Sequence, residues 1–68
     1  MYDEIRATAK NLEKQRDRLL SELKSLEEDY KKGKIGEDTY KAKRHEIERA
    51  IVEIMDRIAQ MRFLMGQA

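Results

Sequence analysis

The stretch Lys31–Tyr40, KKGKIGEDTY, has residue types that suit phosphate chemistry. Two glycines permit close backbone approach, and Lys31, Lys32 and Lys34 supply positive charge. A nucleotide-phosphate loop needs G-x-x-x-x-G-K-[ST] after a strand. Here Gly33 and Gly36 stand three positions apart, no Lys-Ser or Lys-Thr pair follows the second, and no strand pattern precedes the first. The same residues fit a chain reversal. Gly33 lies where the end of a helix calls for a left-handed residue. Gly36 suits an N-cap, with Ile35 before it and Tyr40 four positions after it, the spacing of a hydrophobic staple. Lys31, Lys32 and Lys34 sit by the negative end of one helix dipole, and Glu37 and Asp38 by the positive end of the next. The expectation is a turn over residues 33–36 and no anion site.

Other chemistry is sparse. His45 is the single histidine, and cysteine is absent. That excludes disulfides and thiolate metal sites, and it leaves His45 without a second imidazole or an H-E-x-x-H spacing for zinc. No metal or cofactor is expected. Of the arginines, Arg16 and Arg44 stand out because they interrupt apolar rows.

Those rows define the elements. Written as heptads, the first run has Ile5, Leu12, Leu19 and Leu26 at d, and Tyr2, Ala9, Arg16, Leu23 and Tyr30 at a. The second has Tyr40, Ile47, Ile54 and Met61 at d, and Arg44, Ile51, Ile58 and Met65 at a. This periodicity predicts two helices, about 2–32 and 37–65, each near 45 Å long at 1.5 Å per residue. An antiparallel register pivoting at residue 35 pairs Tyr30 with Tyr40, Leu26 with Arg44, Leu23 with Ile47 and Leu19 with Ile51. It continues with Arg16 and Ile54, Leu12 and Ile58, Ala9 and Met61, and Ile5 and Met65. Arg16 and Arg44 thus become polar layers of the seam. Beside the turn, Glu27 should face Lys41, and Asp29 should face Lys43.

Composition agrees. Charged residues make up 43% of the 68, both signs are interspersed, and proline and tryptophan are absent, as in coiled coils and helical hairpins. A net charge of +1 steers no particular partner. No run approaches the roughly 18 apolar residues of a membrane span, and no signal-peptide pattern opens the chain. A cytoplasmic setting is the default expectation. A chain this short rarely builds enough core alone, so either a fragment of something larger or a small protein that assembles is expected.

The segment LKSLEEDYKKGKIGEDTYKAKRHEI resembles the short helical-hairpin modules of the SHOCT type. These carry a leucine-rich helix, glycine, Ile or Leu, a capping residue, acidic residues, then Tyr or Phe. The matching positions are Leu23, Leu26, Gly33, Ile35, Glu37 and Tyr40, over about a third of the chain. It departs at Gly36, where such modules usually place Ser or Thr, and it extends farther on both sides. The resemblance implies an interaction or oligomerisation module attached to other domains, and it implies no catalytic residues.

Two enzyme-like features lead nowhere. RHEIE around His45 is similar to the phospho-accepting helix of sensor kinases, but the proline-bearing stretch that follows there is missing. EIERAIVEIMDRIAQM resembles a helix of small all-helical mutases, which enclose several buried cations between three helices. This chain offers only Arg16 and Arg44, one to a layer, and no enzyme is expected. A basic tip formed by Lys31, Lys32, Lys34, Lys41, Lys43 and Arg44 suggests an adaptor for nucleic acid or an anionic membrane. Glu27, Glu28, Asp29, Glu37 and Asp38 dilute that field, so this is the alternative reading.

More informative is a second apolar row. Val52, Met55, Ala59 and Phe63 follow helical spacing on the outside of the second helix, Ala50 and Leu64 flank the seam on its other side, and the first helix adds Leu20. From Ile58 to Met65 the helix is apolar nearly all round, as in helices buried on more than one side. The expected protein is therefore an all-α antiparallel coiled-coil hairpin that dimerises into a four-helix bundle. Leu20, Val52, Met55, Ala59, Phe63 and Leu64 form its partner surface. Its function is expected to be structural, either homo-oligomerisation (a dimer or higher) or docking to another helical protein.

Overall fold

A computed structural model describes residues 2–66. Helix α1 runs Tyr2–Lys31 and helix α2 runs Glu37–Leu64, packed against each other as a rod of 48 × 14 × 14 Å. Each helix stops one residue short of the end read from the heptads, because Lys32 and Met65 serve as caps. The seam position assigned to the Tyr2 side chain lies outside the described residues.

The turn is built as its glycines suggest. Gly33 has φ +75°, donates its N–H to the Tyr30 carbonyl at 3.0 Å, and is followed by Lys34 N–H bonding the Asp29 carbonyl at 2.8 Å. These two bonds make a Schellman closure, which satisfies the carbonyls left open at a helix end. Gly36 starts α2 with φ −79° and ψ 167°, and its carbonyl accepts the Tyr40 N–H at 3.0 Å. It makes no side-chain cap. Only Gly33 therefore needs to be glycine for its backbone angle. Gly33→Val should cost on the order of 1 kcal/mol or more, although a Cβ there meets nothing within 4 Å. Gly36→Ser, which adds a capping hydroxyl, should be neutral or stabilising. Thermal melts of both variants check this, and equal damage from the two would contradict the turn reading.

The core is thin. Ala9, Leu12, Leu26 and Ile58 are buried, while Leu19, Leu23, Ile47, Ile51, Ile54, Met61 and Met65 are half-buried. With one opposing helix, each seam side chain is covered from one direction only. The end next to the turn is closed by Tyr30 and Tyr40, whose rings stack with centroids 4.3 Å apart and planes 6° from parallel. This is the layer that the register assigns to them.

The two arginines of the heptad rows differ in placement. Arg16 is half-buried, and its Nε and Nη2 both donate to Asp17 Oδ1 at 3.1 Å. Its stem covers the seam while the head reaches an exposed acid on its own helix. Arg44 is exposed, with its Cζ 5.4 Å from the centre of the Tyr40 ring and its Nε 3.6 Å from Glu48. A hydrogen-bonding influence of the Tyr40 hydroxyl, followed by the charges around it, raises the Arg44 pKa. A guanidinium is fully charged in any case, so its state does not change.

Since Asp17 is mostly solvated, losing its partner costs little. Arg16→Leu is expected to raise the melting temperature and to loosen the choice of assembly, as removal of polar a residues does in coiled coils. A sharp fall in stability would instead make Arg16 part of a satisfied polar network.

Candidate interaction surface

The apolar seam residues are buried or half-buried, apart from Tyr30 at the turn, which is 37% exposed, and a second set of apolar residues is open to solvent. Ile58 is 2% exposed, whereas Leu20 is 48%, Met55 46%, Val52 60%, Leu64 56% and Phe63 69% exposed. Ala59 is exposed as well. Scattered apolar surface is ordinary, but a contiguous patch is not.

One ion pair shows how the patch is laid out. Arg62 Nη2 of α2 lies 3.7 Å from Glu13 Oε1 of α1, so these two positions share one edge of the seam. A heptad step returns a side chain to nearly the same edge two turns away, about 10 Å along the axis. Seven residues toward the turn, Glu13 leads to Leu20 and Arg62 leads to Met55. These two apolar residues therefore occupy the same edge at the same level, one from each helix. Val52 and Ala59 stand one turn to either side of Met55 on the outer flank of α2. Phe63 continues that row and, with Ala59 and Leu64, borders a shallow apolar depression near the end of the helix. Leu64 itself lies toward the opposite flank, where Ala50 is half-buried. Two turns farther toward the tip the edge becomes acidic, at Glu27 and Glu48.

The tip offers less. Lys31, Lys32, Lys34, Glu37 and Asp38 are all exposed. Lys41 does not reach across to Glu27 as expected, but pairs with Glu37 on its own helix at 3.0 Å. The i,i+4 spacing sets that pair in place, while a cross-seam pair must order two long side chains over a wider gap. Asp29 and Lys43 border a common groove without coming within ion-pair distance. Tyr40 is stacked on Tyr30 and approached by Arg44, which leaves neither tyrosine ring free to stack on a base. Binding of DNA, RNA or anionic vesicles should therefore be weak and lost by physiological salt. A salt titration checks this, and a sequence-selective complex that survives about 200 mM salt would contradict it.

Among the described residues, no group of three or more His, Cys, Asp or Glu side chains could hold a metal ion. His45 is exposed. No helix among the described residues is long and apolar enough to cross a membrane.

Sequence reading missed two features. Gly66, with φ +77° and its N–H on the Phe63 carbonyl at 3.0 Å, begins to close α2 as Gly33 closes α1. Its place just after Met65, the last heptad residue, is the signal that would have found it. The Glu13–Arg62 bridge was also legible in principle, since both are edge positions of opposite charge.

Compared with models of protein families, with curated proteins and with solved structures, the chain matches none.

Proposed function

We propose that this hairpin is a structural module that acts through helix packing, either by assembling with itself or by docking onto another helical protein. The observation that carries the reading is the unpartnered apolar edge formed by Leu20, Met55, Val52 and Ala59, extended by Phe63. It lies along α2, with Leu20 added from α1, on a rod whose own core has few buried residues. The resemblance of the turn to SHOCT-type modules points the same way.

Mass as a function of concentration separates the two modes. Self-assembly gives a mass above that of one chain at micromolar concentration. A folded single chain at every dilution leaves the docking mode. In that case, capture of a partner by the wild type should be lost when Val52 and Met55 are both replaced by Glu. Equal capture by the wild type and that variant, with no self-assembly, would contradict the module reading.

A further inference from the structure

We infer that the open end of the hairpin is an oxidation-sensitive latch. Hydrogen peroxide that converts Met61 and Met65 to sulfoxides releases the two seam layers farthest from the turn and leaves the half beside the turn closed. The inference concerns the seam within one hairpin and stands apart from the module reading above.

Placement is the first argument. Three of the four methionines, Met55, Met61 and Met65, fall in the second half of α2 or at its cap. Met61 and Met65 are half-buried seam residues. The register sets them against Ala9, which is 5% exposed, and half-buried Ile5. From the turn to the Leu12–Ile58 layer the apolar seam residues are Leu, Ile and Tyr. Methionine supplies the α2 side of both layers beyond it. A long, unbranched thioether suits the place opposite a small alanine. Met61 also borders the shallow depression beside Ala59 and Phe63, so it meets solvent as well as the seam.

The two ends of the rod are held differently. The turn end is closed by the chain itself, by the backbone bonds around Gly33 and by the Tyr30–Tyr40 stack. At the open end the Arg62–Glu13 pair is long, at 3.7 Å, and well solvated, so it adds little. The methionine layers are what keeps that end together.

The chemistry is a direct oxygen transfer. A sulfur lone pair attacks one oxygen of hydrogen peroxide, and the S–O bond forms as the O–O bond breaks. The leaving hydroxide takes the proton of the transferred oxygen and departs as water. Sulfur loses two electrons and the peroxide gains them. The sulfoxide is polar. Neither Ala9 nor Ile5 offers it a side-chain donor, and an acceptor buried without a partner is costly. The oxidised side chains therefore turn to water, and the helix ends part as far as Leu12 and Ile58, which are 7% and 2% exposed. Met55 is 46% exposed and off the seam, so an oxygen added there leaves the seam closed.

The test treats the full chain with hydrogen peroxide, locates each added oxygen by peptide mass and follows amide exchange residue by residue. Oxidation at Met61 and Met65 should speed exchange about tenfold for amides within residues 8–11 and 59–62, with residues 40–51 unchanged. Enzymatic reduction of the sulfoxides should restore protection. Met61→Leu combined with Met65→Leu keeps residues suited to a seam and should hold its protection under the same peroxide, even with Met55 oxidised. Three results would overturn the inference. One is unchanged exchange in a chain oxidised at both positions. Another is an equal loss of protection in the leucine variant, which puts the effect at a different methionine. The third is Met61 and Met65 remaining reduced at a dose that oxidises Met55 fully. None of the three bears on mass or partner capture, so the module reading is judged separately.

Discussion

Ile58→Ala is expected to destabilise the protein by about 2–4 kcal/mol, the largest loss for any single seam position. Among the described residues Ile58 is the most completely enclosed side chain, 2% exposed, and its register partner Leu12 is 7% exposed. Truncation removes several buried methyl and methylene groups and leaves space that two stiff helices cannot close. Domains of this size commonly have only a few kcal/mol in hand. The melting temperature should therefore fall by about 10 °C or more, or folding should be lost outright at room temperature. Ile51→Ala, at a half-buried seam position, should cost less. Chemical denaturation of both variants checks the ranking. A loss below about 1 kcal/mol at Ile58 would mean that the seam is not the main apolar core.

The second large effect concerns the opposite kind of residue. Val52→Glu with Met55→Glu is expected to abolish assembly, giving single chains or unfolded protein. In an isolated hairpin, Val52 and Met55 are exposed, and surface substitutions usually change stability by no more than about 0.5 kcal/mol. If the edge is covered by another helix, the same pair of changes buries two unpaired carboxylates. Each costs several kcal/mol unless it is protonated or finds a partner. The predicted effect thus differs several-fold between the two situations, which makes the variant informative. Asn11→Glu, at an exposed position of α1 away from the apolar row, is the control and should leave both mass and helicity unchanged. Loss of assembly in the control as well would point to helix propensity or net charge instead of the edge.

The two helices and the turn were legible in the sequence because each depends on local spacing, and the Tyr30–Tyr40 layer because the antiparallel register pairs those positions. An a/d row sets which side of a helix is apolar, and Gly33 supplies the one backbone angle that the reversal demands. Exposure of Leu20, Val52, Met55 and Phe63 was legible for the same reason. Details that depend on where long side chains end were not. A heptad position fixes the direction of Cβ at residues 16 and 44, but not where a guanidinium several bonds away comes to rest. Arg16 had acids available on both helices and takes its neighbour Asp17, while Arg44 turns outward over Tyr40. Lys41 chose between Glu27 across the seam and Glu37 one turn away on its own helix. The common edge of Leu20 and Met55 became clear only once the Glu13–Arg62 pair tied the flanks of the two helices together.

The central claim is that this hairpin acts by packing its apolar edge against another helix, and self-assembly is the mode of it that can be tested most directly. The most direct test is thermal unfolding of the wild type, followed by helicity at concentrations a hundredfold apart. When folding is coupled to association, mass action makes the melting temperature depend on protein concentration. The account predicts a clear rise in melting temperature with concentration, which disappears in the Val52→Glu, Met55→Glu variant. A wild-type melting temperature that is the same at every concentration, for a fully helical single chain, would contradict self-assembly.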